Sequence, residues 1–93
     1  MNPANPSEHT HFGTSVTVVI PGRPWFHLIS SVEEADRFLF ENWGSYDSEQ
    51  WMEAMDQCAK VTTGNANAED VRTAFIAAMD NAGMETTSVT LLP

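Results

Sequence analysis

Ser15-Val16-Thr17-Val18-Val19-Ile20, Pro21-Gly22-Arg23-Pro24, Trp25-Phe26-His27-Leu28-Ile29 and Ser30-Ser31-Val32-Glu33-Glu34 follow one another without a gap. The first run is β-branched and reads as a strand. Pro21-Gly22 is the signature of a type II turn, because glycine accepts the positive φ that the third turn position requires. The third run reads as a second strand, so the two make an antiparallel hairpin. Alternation puts Val16, Val18 and Ile20 on one face, and Thr17 and Val19 on the other. Both faces carry apolar residues, and the pattern leaves open which one meets the core. Ser30 and Ser31 each have a glutamate three residues on, giving two overlapping capping boxes that start a helix.

That helix runs to about Asn42. Val32, Ala35, Phe38 and Leu39 recur at three- and four-residue steps, with Trp43 as a further member of the stripe. Gly44 and Ser45-Tyr46 end it. Asp47-Ser48-Glu49-Gln50 opens a second helix, with Asp47 and Gln50 as a capping box. Its apolar face is Trp51, Met55 and Cys58, joined by Met52 and Ala59. Lys60 suits the negative end of the helix dipole, and Thr62-Thr63-Gly64 stops the helix. Asn67-Ala68-Glu69-Asp70 starts a third, in which Val71, Ala74, Phe75, Ala78, Met79 and Ala82 keep a 3.6-residue period. Gly83 follows as a C-terminal cap. Thr86–Leu92 is β-branched and apolar and reads as a third strand or a closing segment.

The expected fold is therefore α+β: a small antiparallel sheet of two to three strands packed against three helices, in the order β-β-α-α-α-β. Residues 1–12, polar and holding Pro3 and Pro6, read as a flexible lead, and residues 13–93 as a single domain. A chain of 93 residues buries roughly 60–65% of its unfolded surface, enough for one modest core. The 42% hydrophobic content is too rich for disorder.

Thirteen acidic residues face four basic ones, for a net charge of −9. Eleven of the thirteen lie between Glu33 and Asp80, so the charge sits on helices and not in a tail. This opposes direct binding to nucleic acid or to an anionic membrane, both of which need Lys and Arg. One cysteine, Cys58, permits no intramolecular disulfide and no multi-cysteine zinc site, and fits a reducing cytoplasm. Met1–Thr10 has neither the positive nor the apolar region of a signal peptide. No apolar run approaches the ~20 residues that cross a bilayer.

The hairpin, Ser31-Val32-Glu33-Glu34-Ala35 leading to Leu39 and Trp43, then Ala54 and Cys58, then Val71 to Ala78 and Ala82-Gly83-Met84 resemble one pattern. It is similar to the small alphaproteobacterial proteins of domain-of-unknown-function family 982. The resemblance covers about Gly13 to Met84. Its most specific piece is Arg72…Ala74-Phe75-Ile76…Ala82-Gly83. The chain departs from it at Gly44, where the pattern has a proline. The resemblance implies no activity, cofactor or catalytic residue.

The residues themselves point to an interaction module before an enzyme. Cys58 lies on an apolar stripe and reads as a buried structural thiol. His27, next to Trp25 and Phe26, is the one candidate general base, and reads more simply as an edge histidine. Glu8-His9-Thr10-His11 holds the only histidine pair, on a segment without the frame a metal site needs. No phosphate loop, His-Glu-x-x-His or Gly-x-Ser-x-Gly motif is present. No metal and no cofactor is expected.

Glu49, Glu53 and Asp56 stand at i, i+4 and i+7, giving the second helix an acidic stripe. Like charges at i and i+4 cost roughly 0.2–0.5 kcal/mol per pair, a cost that a basic protein partner would offset. A solvated surface opposite the core is the plainer account of the same stripe. Trp43 and Tyr46 flank Gly44 and either form an exposed patch for that partner or fill the core; Trp25 and Trp51 are expected in the core. The leading expectation is a cytoplasmic, non-enzymatic interaction or regulatory domain, monomeric or homodimeric. The alternative is a nucleic-acid mimic that inhibits a basic nucleic-acid-binding protein. A small enzyme with its site near His27 is the third.

Overall fold

The computed structural model describes residues 10–89. Strand β1 (His11–Val19) and strand β2 (Phe26–Ser31) are followed by helix α1 (Val32–Asn42), a 3-10 turn at Trp43–Ser45, helix α2 (Glu49–Thr62), helix α3 (Ala68–Asn81) and strand β3 (Glu85–Val89). The sheet is antiparallel with β1 in the centre, in the order β2-β1-β3. The α+β class and the β-β-α-α-α-β order read from the sequence both hold.

The turn between β1 and β2 has the geometry its residues dictate. Gly22 takes a φ of 83°, and the Arg23 N–H donates to the Ile20 carbonyl at 3.0 Å. β1 begins earlier than the β-branched run. His11 pairs with Ser31, the register is irregular between His11 and Val16, and Phe12 is buried in the core. The lead expected over residues 1–12 thus gives its last two residues to β1, while residues 1–9 lie outside the described ones. The strand expected over Thr86–Leu92 is found as β3 over Glu85–Val89, and residues 90–92 of that expectation lie outside the described ones.

The choice of sheet face is made by Val16, Val18 and Ile29, which are buried with Phe12 against the helices. Helix α1 adds Val32, Ala35, Phe38 and Leu39, the stripe its spacing predicts. Ser31 is the N-cap, and its Oγ accepts from the Glu34 N–H at 3.2 Å. The Glu34 carboxylate accepts from the N–H of Ser30 at 2.6 Å, one residue before the cap. Helix α3 starts on a full capping box between Asn67 and Asp70 and buries Val71, Phe75, Ala78 and Met79. Its small residues let α2 pack closely beside it.

Trp51 is fully buried at the junction of all three helices. Its ring is 6.3 Å from Phe38, which in turn meets Phe75 edge-on at 5.8 Å. The Trp51 Nε1–H donates to the Leu39 carbonyl at 2.8 Å. That carbonyl belongs to the last turn of α1, where helix carbonyls lose their regular partners. The N–H of Trp43, which would otherwise reach it, is turned to Phe40.

Three expectations about side chains are corrected. Trp25 is not in the core but 51% exposed: it follows Pro24 outside β2, and the Arg23 guanidinium lies 5.7 Å from its ring centre. Met52 and Ala59 are exposed, because the buried stripe of α2 is the narrower Trp51, Ala54, Cys58 set. The N-cap of α2 is Ser48 and not Asp47; the Ser48 Oγ accepts from the Trp51 N–H at 3.1 Å.

Candidate functional site

The sequence-predicted acidic stripe lines a groove between α2 and α3. Glu49, Glu53 and Asp56 all border it, joined by Asp47 at its end. The floor is apolar, from Met52 of α2 and Ala74 and Ala77 of α3. The groove is shallow and open, with a volume of about 710 Å³. The geometry follows from local rules. Glu49, Glu53 and Asp56 lie on the solvent side because Trp51, Ala54 and Cys58 turn inward. The alanines of α3 leave room beside the helix where larger side chains would fill the groove.

The three carboxylates are not equivalent. Asp56 pairs with Lys60 one turn on, at 3.1 Å, and this hydrogen bond, with the aspartate's charge, raises the lysine's pKa. Glu53 accepts from the Gln57 side chain at 2.7 Å. Glu49 and Asp47 have no side-chain partner among the described residues. The negative end of the groove nearest the start of α2 is therefore the less neutralised one.

Trp43 and Tyr46 part company. Tyr46 is half-buried and stacks on Trp51 with ring centres 5.3 Å apart and planes 21° from parallel. Trp43 is 41% exposed. Neither borders the acidic groove. The neighbour of Trp43 on the surface is Phe40, three residues earlier on continuous helical backbone and 67% exposed, a spacing that places the two side by side. Phe40 was legible as an exposed position, since it falls off the Val32, Ala35, Phe38, Leu39 stripe. Met52, Ala74 and Ala77 carried no sequence signal as groove residues, because only the packing of α2 on α3 makes them one floor.

His27 lies on β2 with its ring 5.2 Å from Phe38, edge to face. It borders a depression of about 180 Å³ shared with Glu34, Arg37 and Glu41, below the ~300–1,000 Å³ of ordinary small-molecule sites. Cys58 is buried on the inner face of α2, as its spacing predicts. Burial, followed by the negative charge of Asp36, pushes its thiol pKa from 9.0 up to about 12. A thiol so protonated is a poor nucleophile. Among the described residues, no group of three or more His, Cys, Asp or Glu side chains is arranged to hold a metal ion. His9, one of the tail pair, lies outside them. No helix among the described residues is long and apolar enough to cross a membrane.

Arg72 has a structural task that its charge did not announce. Its Nε–H donates to the Thr14 carbonyl of β1 at 2.8 Å, a second guanidinium nitrogen reaches Ser88 of β3, and a third meets Glu69 at 3.4 Å. It fastens α3 to two strands at once.

These features define a small α+β domain: a three-stranded antiparallel sheet covered by three helices, with an acidic groove between the second and third. A family model described as "Protein of unknown function (DUF982)" matches residues 14–86. The chain belongs to that family, as the hairpin and the Arg72 to Gly83 segment implied. No curated protein and no solved structure matches it.

Proposed function

We infer that this protein is a non-enzymatic interaction domain of the cytoplasm whose α2/α3 groove receives a basic, amphipathic segment of a partner protein. The observation that carries the reading is the joining of an acidic border to an apolar floor. Asp47, Glu49, Glu53 and Asp56 stand around Met52, Ala74 and Ala77. A purely solubilising surface needs only the charges. An amphipathic helix laid into a groove uses both, its apolar side on the floor and its Lys or Arg side chains along the border. Mimicry of nucleic acid uses the same carboxylates, and gives the floor nothing to do.

The test is capture from native lysate at two salt concentrations. The wild type is compared with Glu49→Lys, Glu53→Lys, Asp56→Lys and with Met52→Ser. A basic protein retained at low salt, released at high salt and lost in both variants supports the groove. Competition by DNA or RNA for that protein, with Met52→Ser binding normally, supports mimicry instead. A partner indifferent to charge reversal removes both readings and turns attention to Phe40 and Trp43.

A further inference from the structure

The α2/α3 groove does not carry its charge evenly. The two helices run antiparallel, so the start of α2 stands beside the end of α3: Asp47 and Ser48 share a small hollow with Asn81 and Ala82. Asp47 and Glu49 border the groove at this end. Asp80 is exposed in the last turn of α3, three residues beyond Ala77 of the floor, a spacing that puts both on one face of the helix. That turn holds no basic residue. Three carboxylates therefore stand together here without a lysine or arginine among them.

The opposite end, where α2 finishes and α3 begins, is built differently. Asp56 borders the groove there, and the Lys60 Nζ lies 3.1 Å from its carboxylate. Asp70, four residues before Ala74 on the same face of α3, accepts the N–H of Asn67 at 2.9 Å in the box that starts the helix. One carboxylate is paired with a lysine, and the other is turned onto a helix start. The dipoles of antiparallel helices offset each other at both ends, so the side chains set the difference. A basic side chain laid along the groove meets more negative charge toward the start of α2. At the far end it meets the Lys60 ammonium as a like charge.

We propose that the groove is polar. It takes its basic amphipathic helix in one charge orientation, with the Lys and Arg side chains gathered at the Asp47, Glu49 and Asp80 end, and Lys60 is the residue that sets this direction. The proposal rests on the reading of the groove as a docking surface and adds a direction to it. Met52, Ala74 and Ala77 meet an apolar stripe equally well either way round, so the floor supplies contact without choosing, and the charges choose. One exposed ion pair changes affinity by at most about fivefold. The selection therefore comes from the sum over an end, and favours one orientation by on the order of tenfold.

The probe is a synthetic amphipathic helix with a leucine stripe and all of its lysines in the terminal turns of one end. It carries a nitroxide at that end or at the other, and line broadening in the amide spectrum of the full chain reads where the label sits. The label on the basic end is expected to broaden Glu49 and Asp80, and the label on the other end Lys60. Glu49→Lys combined with Lys60→Glu keeps the net charge at −9 and moves the excess of carboxylates to the far end. It is expected to turn the peptide round while circular dichroism shows the fold retained. Lys60→Ala, which places no new charge on α2, is expected to lessen the preference without reversing it. A peptide that occupies the groove both ways in the wild type, or keeps one orientation in the double exchange, overturns the polarity and leaves the docking surface standing. So does a preference that Lys60→Ala does not change. A peptide that broadens no groove residue overturns both.

Discussion

Trp51 and Cys58 show how a single residue's environment fixes its chemistry. Trp51 closes the end of α1 through its indole N–H, so the effect of changing it exceeds its apolar area. Trp51→Phe keeps most of the ring but leaves the Leu39 carbonyl unpaired in the core, which costs about 1–3 kcal/mol. The expected fall in Tm is about 4–8 °C per kcal/mol for a domain of this size, read by calorimetry. Cys58 makes a second test possible. Its thiol pKa of about 12 in the fold stands against 9.0 for the free group. Between those values the folded state holds a proton that the unfolded chain has lost, so stability declines as pH rises through that window and is unaffected below it. Urea midpoints at pH 8 and pH 10 are expected to fall further for the wild type than for Cys58→Ala. The native thiol is expected to resist an aromatic disulfide reagent until the chain is unfolded.

At the scale of elements, spacing was a good guide to what each helix buries, and a weaker one to where it begins. The α1 stripe is buried from Val32 to Leu39 but does not extend to Trp43, which is exposed. The α3 stripe buries Val71, Phe75, Ala78 and Met79, while Ala74 and Ala82 are only partly buried. The start of α2 departs further. The sequence pairs Asp47 with Gln50 as a capping box, whereas Ser48 is the N-cap. Ser48→Ala is therefore expected to destabilise by about 1 kcal/mol, and Asp47→Ala by much less, in matched thermal melts. Trp25 shows the same limit in a strand. An aromatic in an apolar run was expected inside, but Pro24 and the turn hold it beyond the last paired position, against Arg23. Arg72 stands in the sequence as the first residue of the segment that carries the family resemblance, with no task attached; its bonds to Thr14 and Ser88 span 58 and 16 residues of sequence, a distance no local pattern reports.

For the whole molecule, the dominant feature is segregation of charge. The helices carry nearly all the acids, and the outer sheet face nearly none. Self-repulsion within a −9 domain is screened as ionic strength rises. Raising NaCl from about 0.02 to about 0.3 M, across which the Debye length falls several-fold, is expected to raise Tm in differential scanning calorimetry at protein concentrations low enough to keep the chain monomeric. A Glu53→Gln variant is expected to be slightly more stable than the wild type at low salt, because it removes the i,i+4 repulsion with Glu49.

The sequence by itself determined the class, the element order, the buried stripes of α1 and α3, the inward thiol and the acidic stripe. Each rests on short-range rules of turn chemistry, capping and periodicity that act within a few residues. The tertiary structure alone decided that β1 is central, which face of the sheet is covered, that Met52, Ala74 and Ala77 form one floor, and that Tyr46 turns onto Trp51 while Trp43 stays out. Those outcomes depend on which surfaces meet. Both faces of the hairpin are apolar enough to be buried, and only the fit of Val16, Val18 and Ile29 against the helices breaks the tie.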